Sequence, residues 1–280
     1  MGQESHQDKF ITINGLRLHY LEWGKPAKEA IILLHGFNNC AATWLPFANK
    51  IASNPYVLAL DFRGHGDSQW SEEKRYKNEH LAGDLTAFIE TLHLEQVSLI
   101  GHSMGGNVAL KYAAAHPEKV SCLVVVDIGP EMSRRVEARS ARMRAAKKDT
   151  YPTLDGVVAY LEAADPYAPR DLLGQEAAHL TRKLPDGRFT WKQHQMFIEL
   201  GTKKTGPASS EEKWQMLRQV SCPVLILRGQ ESDILNEEVA LRMLAEMPNA
   251  RLVNIEGAGH YVHRDNPARF EKEVRRFLGV

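Results

Sequence analysis

Along most of this 280-residue chain, short and almost continuously apolar runs alternate with amphipathic stretches, and this alternation narrows the possible folds more than any other feature. The runs are AIILLHG (30–36), YVLALD (56–61), VSLIG (97–101), CLVVVD (122–127), PVLILRG (223–229) and ARLVNIEG (250–257). A strand that is apolar on both sides needs cover on both sides, which a parallel sheet between two helical layers supplies. The stretches between the runs have helical period: HLAGDLTAFIETLH puts Leu81, Leu85, Phe88, Ile89 and Leu92 on one face. A last helix should start at Asn266-Pro267, with asparagine as N-cap and proline at the first helical position, and should bury Phe270, Val274, Phe277 and Leu278. Ahead of the alternation, FITINGLRLHYLEWG reads as two antiparallel strands around Asn14-Gly15. The expected fold class is α/β: a mainly parallel twisted sheet, an N-terminal antiparallel hairpin and helices on both faces.

The alternation lapses between about Pro130 and Ser221. This stretch offers helix-like pieces (EMSRRVEARSARMRAAKK, LDGVVAYLEAA, RDLLGQEAAHLTRKL) and a hairpin turn at LPDGRFTW, but no apolar strand run. Residues 1–129 and 222–280 are therefore expected to form one core and 130–221 an inserted, mostly helical lid. Residues 134–148 carry seven Arg or Lys against one Glu, which reads either as a solvated helix face or as a means of attracting an anionic substrate.

Thirty-five basic and thirty-five acidic residues cancel, so the charge balance favours neither a nucleic-acid partner nor an anionic membrane surface. No apolar run approaches the roughly 18 residues of a membrane span. The three cysteines are odd in number and far apart, which suits a reducing, cytoplasmic setting better than a disulfide framework. Oligomeric state is left open.

The junction SLIGHSMGGNVAL (98–110) carries the chemistry. Gly101, Gly105 and Gly106 have neither dinucleotide-fingerprint nor P-loop spacing, and no cofactor is expected. The pattern is G-x-S-x-G, in which a serine stands out from a strained strand-to-helix turn, and side chains two before and two after it would collide. In an open parallel sheet ligands bind beyond the C-terminal strand ends. Two more reactive residues follow strands: Asp233 in QESDIL and His260 in GAGHYVHRDNP. The chain order Ser, Asp, His distinguishes one class of serine hydrolase from the others. Histidines without a companion carboxylate cluster of ligand spacing give no expectation of a metal.

With HGF (35–37), DFRGHGDS (61–68), GHSMGG (101–106), LRGQESD (227–233) and GAGHYVHRDNP (257–267) in this order, the chain resembles the α/β-hydrolase fold superfamily, in particular its capped serine hydrolases, from about residue 10 to the end. The resemblance implies Ser103 as nucleophile, His260 as general base and then acid, and Asp233 as the carboxylate orienting the imidazole. It also implies an oxyanion hole made by the backbone amides of Phe37 and Met104. Glu231 and Asp127 rival Asp233, Asp127 because some members of the fold carry their acid at that strand end; His263 rivals His260. His35, His65 and His102 read as loop histidines that bond backbone near the site.

A serine at the elbow disfavours epoxide opening and dehalogenation, which in similar capped proteins use aspartate there. The implied activity is hydrolysis of a small or medium ester or lactone, a small-molecule partner. Two alternatives stay open: carbon–carbon bond hydrolysis of meta-cleavage-type diketones, and a slow-turnover ligand receptor. Against the first, relatives of that kind usually have more small residues after the first His-Gly and a tryptophan after the catalytic histidine, where this chain has GFNNCAATW and Tyr261.

Overall fold

A computed structural model describes residues 6–52, 55–131, 141, 143–195 and 210–280. The chain opens with β1 (Gln7–Ile13) and β2 (Leu16–Trp23), paired antiparallel across Asn14 and Gly15, both at positive φ, as an Asn-Gly turn requires. Then follow β3 (Glu29–Leu34), a 3-10 turn (Ala41–Trp44), α1 (Leu45–Ile51), β4 (Val57–Leu60), α2 (Asn78–Thr91), β5 (Gln96–His102), α3 (Met104–Ala115) and β6 (Val120–Val126). The inserted segment contributes β7 (Thr150–Tyr151), α4 (Leu154–Ala164), α5 (Arg170–Leu180), β8 (Thr181–Lys183), β9 (Phe189–Trp191) and α6 (Ser210–Arg218). The chain returns to the sheet with β10 (Val224–Gly229), α7 (Glu237–Glu246), β11 (Ala250–Ile255), α8 (Val262–Asp265) and α9 (Pro267–Leu278).

The main sheet has eight strands in the order β1-β2-β4-β3-β5-β6-β10-β11. The β1–β2 and β2–β4 pairs are antiparallel and every other pair is parallel. Successive side chains of a strand face opposite ways, and the core divides accordingly. Ile32, Leu34, Leu58, Leu60, Leu99 and Val125 pack under α2, α3 and α7, whereas Ile31, Leu33, Val57, Ile100, Val124 and Val126 pack under α1 and α9. The continuous apolar runs are therefore buried from both sides. In α9, Asn266 caps through its side chain, which accepts a hydrogen bond from Arg269 N, and Pro267 is the first residue.

The inserted segment builds its own small core of Tyr151, Val157, Leu161, Leu173, Ala177 and Trp191, which also includes Cys40 from the loop after β3. It is less purely helical than expected. β8 and β9 form the hairpin expected at LPDGRFTW, and β7 joins them in a three-stranded antiparallel sheet; two residues are too few to show a period of two. Most of the expected helix EMSRRVEARSARMRAAKK (131–148) lies outside the described residues, although 143–146 are helical.

Candidate active site

Ser103 bridges β5 and α3 with φ 52° and ψ −113°, a region that L residues rarely occupy. The glycines around it leave room for that turn. A Cβ on Gly101 would lie 2.4 Å from Gly105 O, and one on Gly105 would lie 2.3 Å from Leu34 O. Met104 is the first residue of α3, so its amide belongs to the orphan N–H groups of a helix N-terminus, where negative charge is favoured.

The loop after β3 passes directly against the serine: a Cβ on Gly36 would come 2.6 Å from His102 Nδ1 and 3.5 Å from Ser103 Cβ. Several buried groups fix this loop. His35 Nε2 accepts from Phe62 N at 3.1 Å and Nδ1 donates to Gly36 O at 2.7 Å. Phe37 O accepts from His65 Nε2 at 2.6 Å and from Gln193 Nε2 of the inserted segment at 2.5 Å. Burial pushes His65 down to about 3 and also lowers His35, so both rings stay neutral and hold one tautomer.

His260 is buried in the loop after β11. Its Nδ1 lies 2.7 Å from Oδ2 of Asp127, a fully buried residue at the end of β6 with φ 50°. Asp127 Oδ1 accepts from Gly229 N at 3.0 Å, and its Oδ2 also accepts from Ser232 Oγ at 2.6 Å. The carboxylate that the structure places against His260 Nδ1 is thus that of Asp127, the sequence rival of Asp233, which was expected there. β6 lies between β5 and β10, so its end is beside the elbow, while Asp233 sits half-buried in the loop that sends Ser232 to Asp127. Glu231 is exposed. His102 ties the elbow to the histidine: its Nε2 donates to His260 O at 3.0 Å and the two rings lie 4.7 Å apart. Burial, followed by the nearby His260 and His263, holds His102 well below the ordinary histidine range, so it can donate without becoming charged. His263 is buried and stacked on Trp44 at 4.6 Å, with its ring 4.8 Å from that of His102.

The chain matches the family model for the alpha/beta hydrolase fold over residues 29–267. It belongs to that family. An esterase of Mycobacterium tuberculosis is 26% identical over 264 residues, 92% of this chain and 85% of the relative. A 2-hydroxy-6-oxononadienedioate/2-hydroxy-6-oxononatrienedioate hydrolase of Burkholderia vietnamiensis is 26% identical over 292 residues, 98% of this chain and 96% of the relative. The crystal structure of an E-2-(acetamidomethylene)succinate hydrolase superposes with a TM-score of 0.87 at 24% identity, covering 99% of this chain and all of the other, which shows a common fold.

In this alpha/beta hydrolase fold chain, a second set of buried charges beside His260 was not anticipated. Arg264 on α8 donates from Nε to Asp165 Oδ2 at 2.9 Å and from Nη1 to Glu176 Oε2 at 2.5 Å, both acids belonging to the inserted segment. Glu176 Oε1 accepts from Thr43 Oγ1 at 2.7 Å, and Asp265 Oδ2 accepts from Gly259 N at 2.8 Å. This network fastens the inserted segment to the loop that carries His260. Single charged residues far apart in sequence give no sign that folding will bury them together.

Among the described residues, one group of three could offer ligands to a cation: His19, Asp61 and Asp67. Its atoms serve the protein instead. His19 Nδ1 bonds Asp61 Oδ2 at 2.7 Å, Asp61 Oδ1 accepts from Ala41 N, and Asp67 pairs with Lys192. Burial opposes the charge on His19, but the bond to Asp61 and its charge, with Asp8 and Asp67, together outweigh it and raise the imidazole. The pair thereby braces the loop that begins at His35. No helix among the described residues is long and apolar enough to cross a membrane.

Proposed function

We propose that this chain is a serine hydrolase of small to medium carboxylic esters or lactones and works through an acyl-enzyme on Ser103. The observation that carries the reading is the buried His260–Asp127 hydrogen bond beside a serine held in a strained turn at a helix N-terminus.

In this reading Asp127 accepts the Nδ1 proton of His260 and so leaves Nε2 free as base. A serine hydroxyl is too weak an acid to attack a carbonyl unaided. As Ser103 Oγ bonds to the acyl carbon, its proton passes to His260 Nε2. The resulting oxyanion is received by the amides of Phe37 and Met104, donors in place before the charge develops. The tetrahedral centre collapses, the carbon–oxygen bond to the alcohol breaks, and His260 gives its proton to the departing oxygen. Water, deprotonated by the same nitrogen, then releases the carboxylic acid and restores the serine. Residues 1–129 and 222–280 act as the core, and 130–221 act as a cap that favours substrates small enough to be enclosed.

Multiple-turnover hydrolysis of p-nitrophenyl butyrate tests the proposal: steady release by the wild type and none above background by Ser103→Ala are expected. Similarity to a relative named as an oxononadienedioate hydrolase favours carbon–carbon hydrolysis as the second reading. Turnover of a vinylogous diketone without ester turnover would select it.

A further inference from the structure

Lys147 stands just after the helical residues 143–146, next to the inserted segment's small sheet. The half-buried side chain's Nζ donates to Gln193 Oε1 at 2.9 Å and lies 4.6 Å above the Trp191 ring, and the exposed Asp149 carboxylate pulls on its charge. The protein provides the cation with a cavity of about 240 Å³, whose walls include Trp70, Trp191 and Gln193, with Arg182 and Asp149 exposed at its edge. With Lys147 and Arg182 positive and Asp149 negative, these three charges leave the cavity one net positive charge.

One side chain of the cavity wall, Gln193, links it to the loop that passes Ser103. The Gln193 side chain that accepts from Lys147 donates through Nε2 to Phe37 O at 2.5 Å, so one amide separates the ammonium from the loop assigned to the oxyanion. At 240 Å³ the cavity is smaller than the roughly 300–1,000 Å³ that enclose a whole ligand; it suits one polar end of a substrate. A single ammonium above an aromatic face matches one unit of negative charge better than a phosphate dianion, which calls for several donors.

We infer that this cavity receives an ionised carboxylate carried by the substrate, so that the preferred substrate is a small ester with a second, free carboxylate. The inference rests on the ester-hydrolase reading above.

The test compares kcat/KM in two pairs: mono-p-nitrophenyl adipate against p-nitrophenyl hexanoate, with the acid on the acyl side, and 4-carboxyphenyl butyrate against phenyl butyrate, with it on the alcohol side. In at least one pair the wild type should favour the anion about tenfold or more, the scale of one charge-assisted hydrogen bond. Lys147→Gln should bring that ratio towards one and Lys147→Arg should retain it. Ratios near one in both pairs, or a preference untouched by Lys147→Gln, would overturn the inference. Should Lys147→Gln fail to fold, competition by adipate against hexanoate hydrolysis in the wild type decides, with no competition counting against the site. Loss of all ester turnover, or turnover that survives Ser103→Ala, would sink the hydrolase reading instead. Calorimetric binding of adipate by wild type and Lys147→Gln would then decide the anion site alone. A further readout is pH: burial pushes Lys147 down to about 8 against the pull of Asp149, with Arg182 and His194 also facing the cavity. The preference should therefore fade above about pH 8 in the wild type and persist there in Lys147→Arg.

Discussion

Asp127 Oδ2 lies 2.7 Å from His260 Nδ1, and both side chains are buried. Removing this carboxylate's charge without altering its shape should leave the imidazole in the wrong tautomer. Asp127→Asn is expected to lower kcat for p-nitrophenyl butyrate by about 10³–10⁴-fold, whereas Asp233→Asn should stay within about tenfold of wild type. Steady-state rates for the two variants check this; the opposite ranking would return the role to Asp233.

The elbow predicts a steric effect as well as a chemical one. Gly105→Ala places a Cβ 2.3 Å from Leu34 O, against backbone that cannot swing aside, so the variant should be destabilised and lose activity together. Urea unfolding beside the ester assay tests this, and wild-type stability in Gly105→Ala would contradict the packing described for the turn.

Arg264 is the cation shared by Asp165 and Glu176. Arg264→Met would strand two buried acids and should cost about 3–5 kcal/mol, read from urea unfolding. A loss below about 1 kcal/mol would mean that the network contributes little to holding the inserted segment in place.

Asp265 beside this network has its carboxyl pushed up to about 8, first by burial and then by the charge of Asp165. An acid whose folded-state affinity for protons exceeds its unfolded one contributes stability at low pH and loses that contribution as pH rises through the folded value. Thermal midpoints should therefore fall between about pH 5 and pH 9 more steeply in the wild type than in Asp265→Asn, which keeps an acceptor for Gly259 N and cannot ionise. Parallel pH profiles would remove Asp265 from this account.

Much of this was legible in the sequence because the signals were local. Asn14-Gly15 marks its hairpin, the strand runs mark the sheet, and Gly101, Ser103 and Gly105 mark a turn whose collisions follow from five residues. The acid was harder to read. Asp127 and Asp233 both follow an apolar strand, and which one meets His260 depends on β6 lying beside β5 in the sheet, a fact of strand order that no window of sequence contains. The two-residue β7 and the burial of Arg264 with Asp165 and Glu176 were hidden for the same reason, since each exists only through partners far along the chain.

The central claim, that Ser103 is the nucleophile of a hydrolase, is tested most directly by labelling the protein with a fluorophosphonate and locating the adduct by peptide mass spectrometry, while ester turnover is followed in the same sample. The account predicts one adduct per chain, on Ser103, with turnover falling in proportion to labelling and no adduct in Ser103→Ala. Labelling at another residue, or full turnover by a chain fully labelled at Ser103, would contradict it.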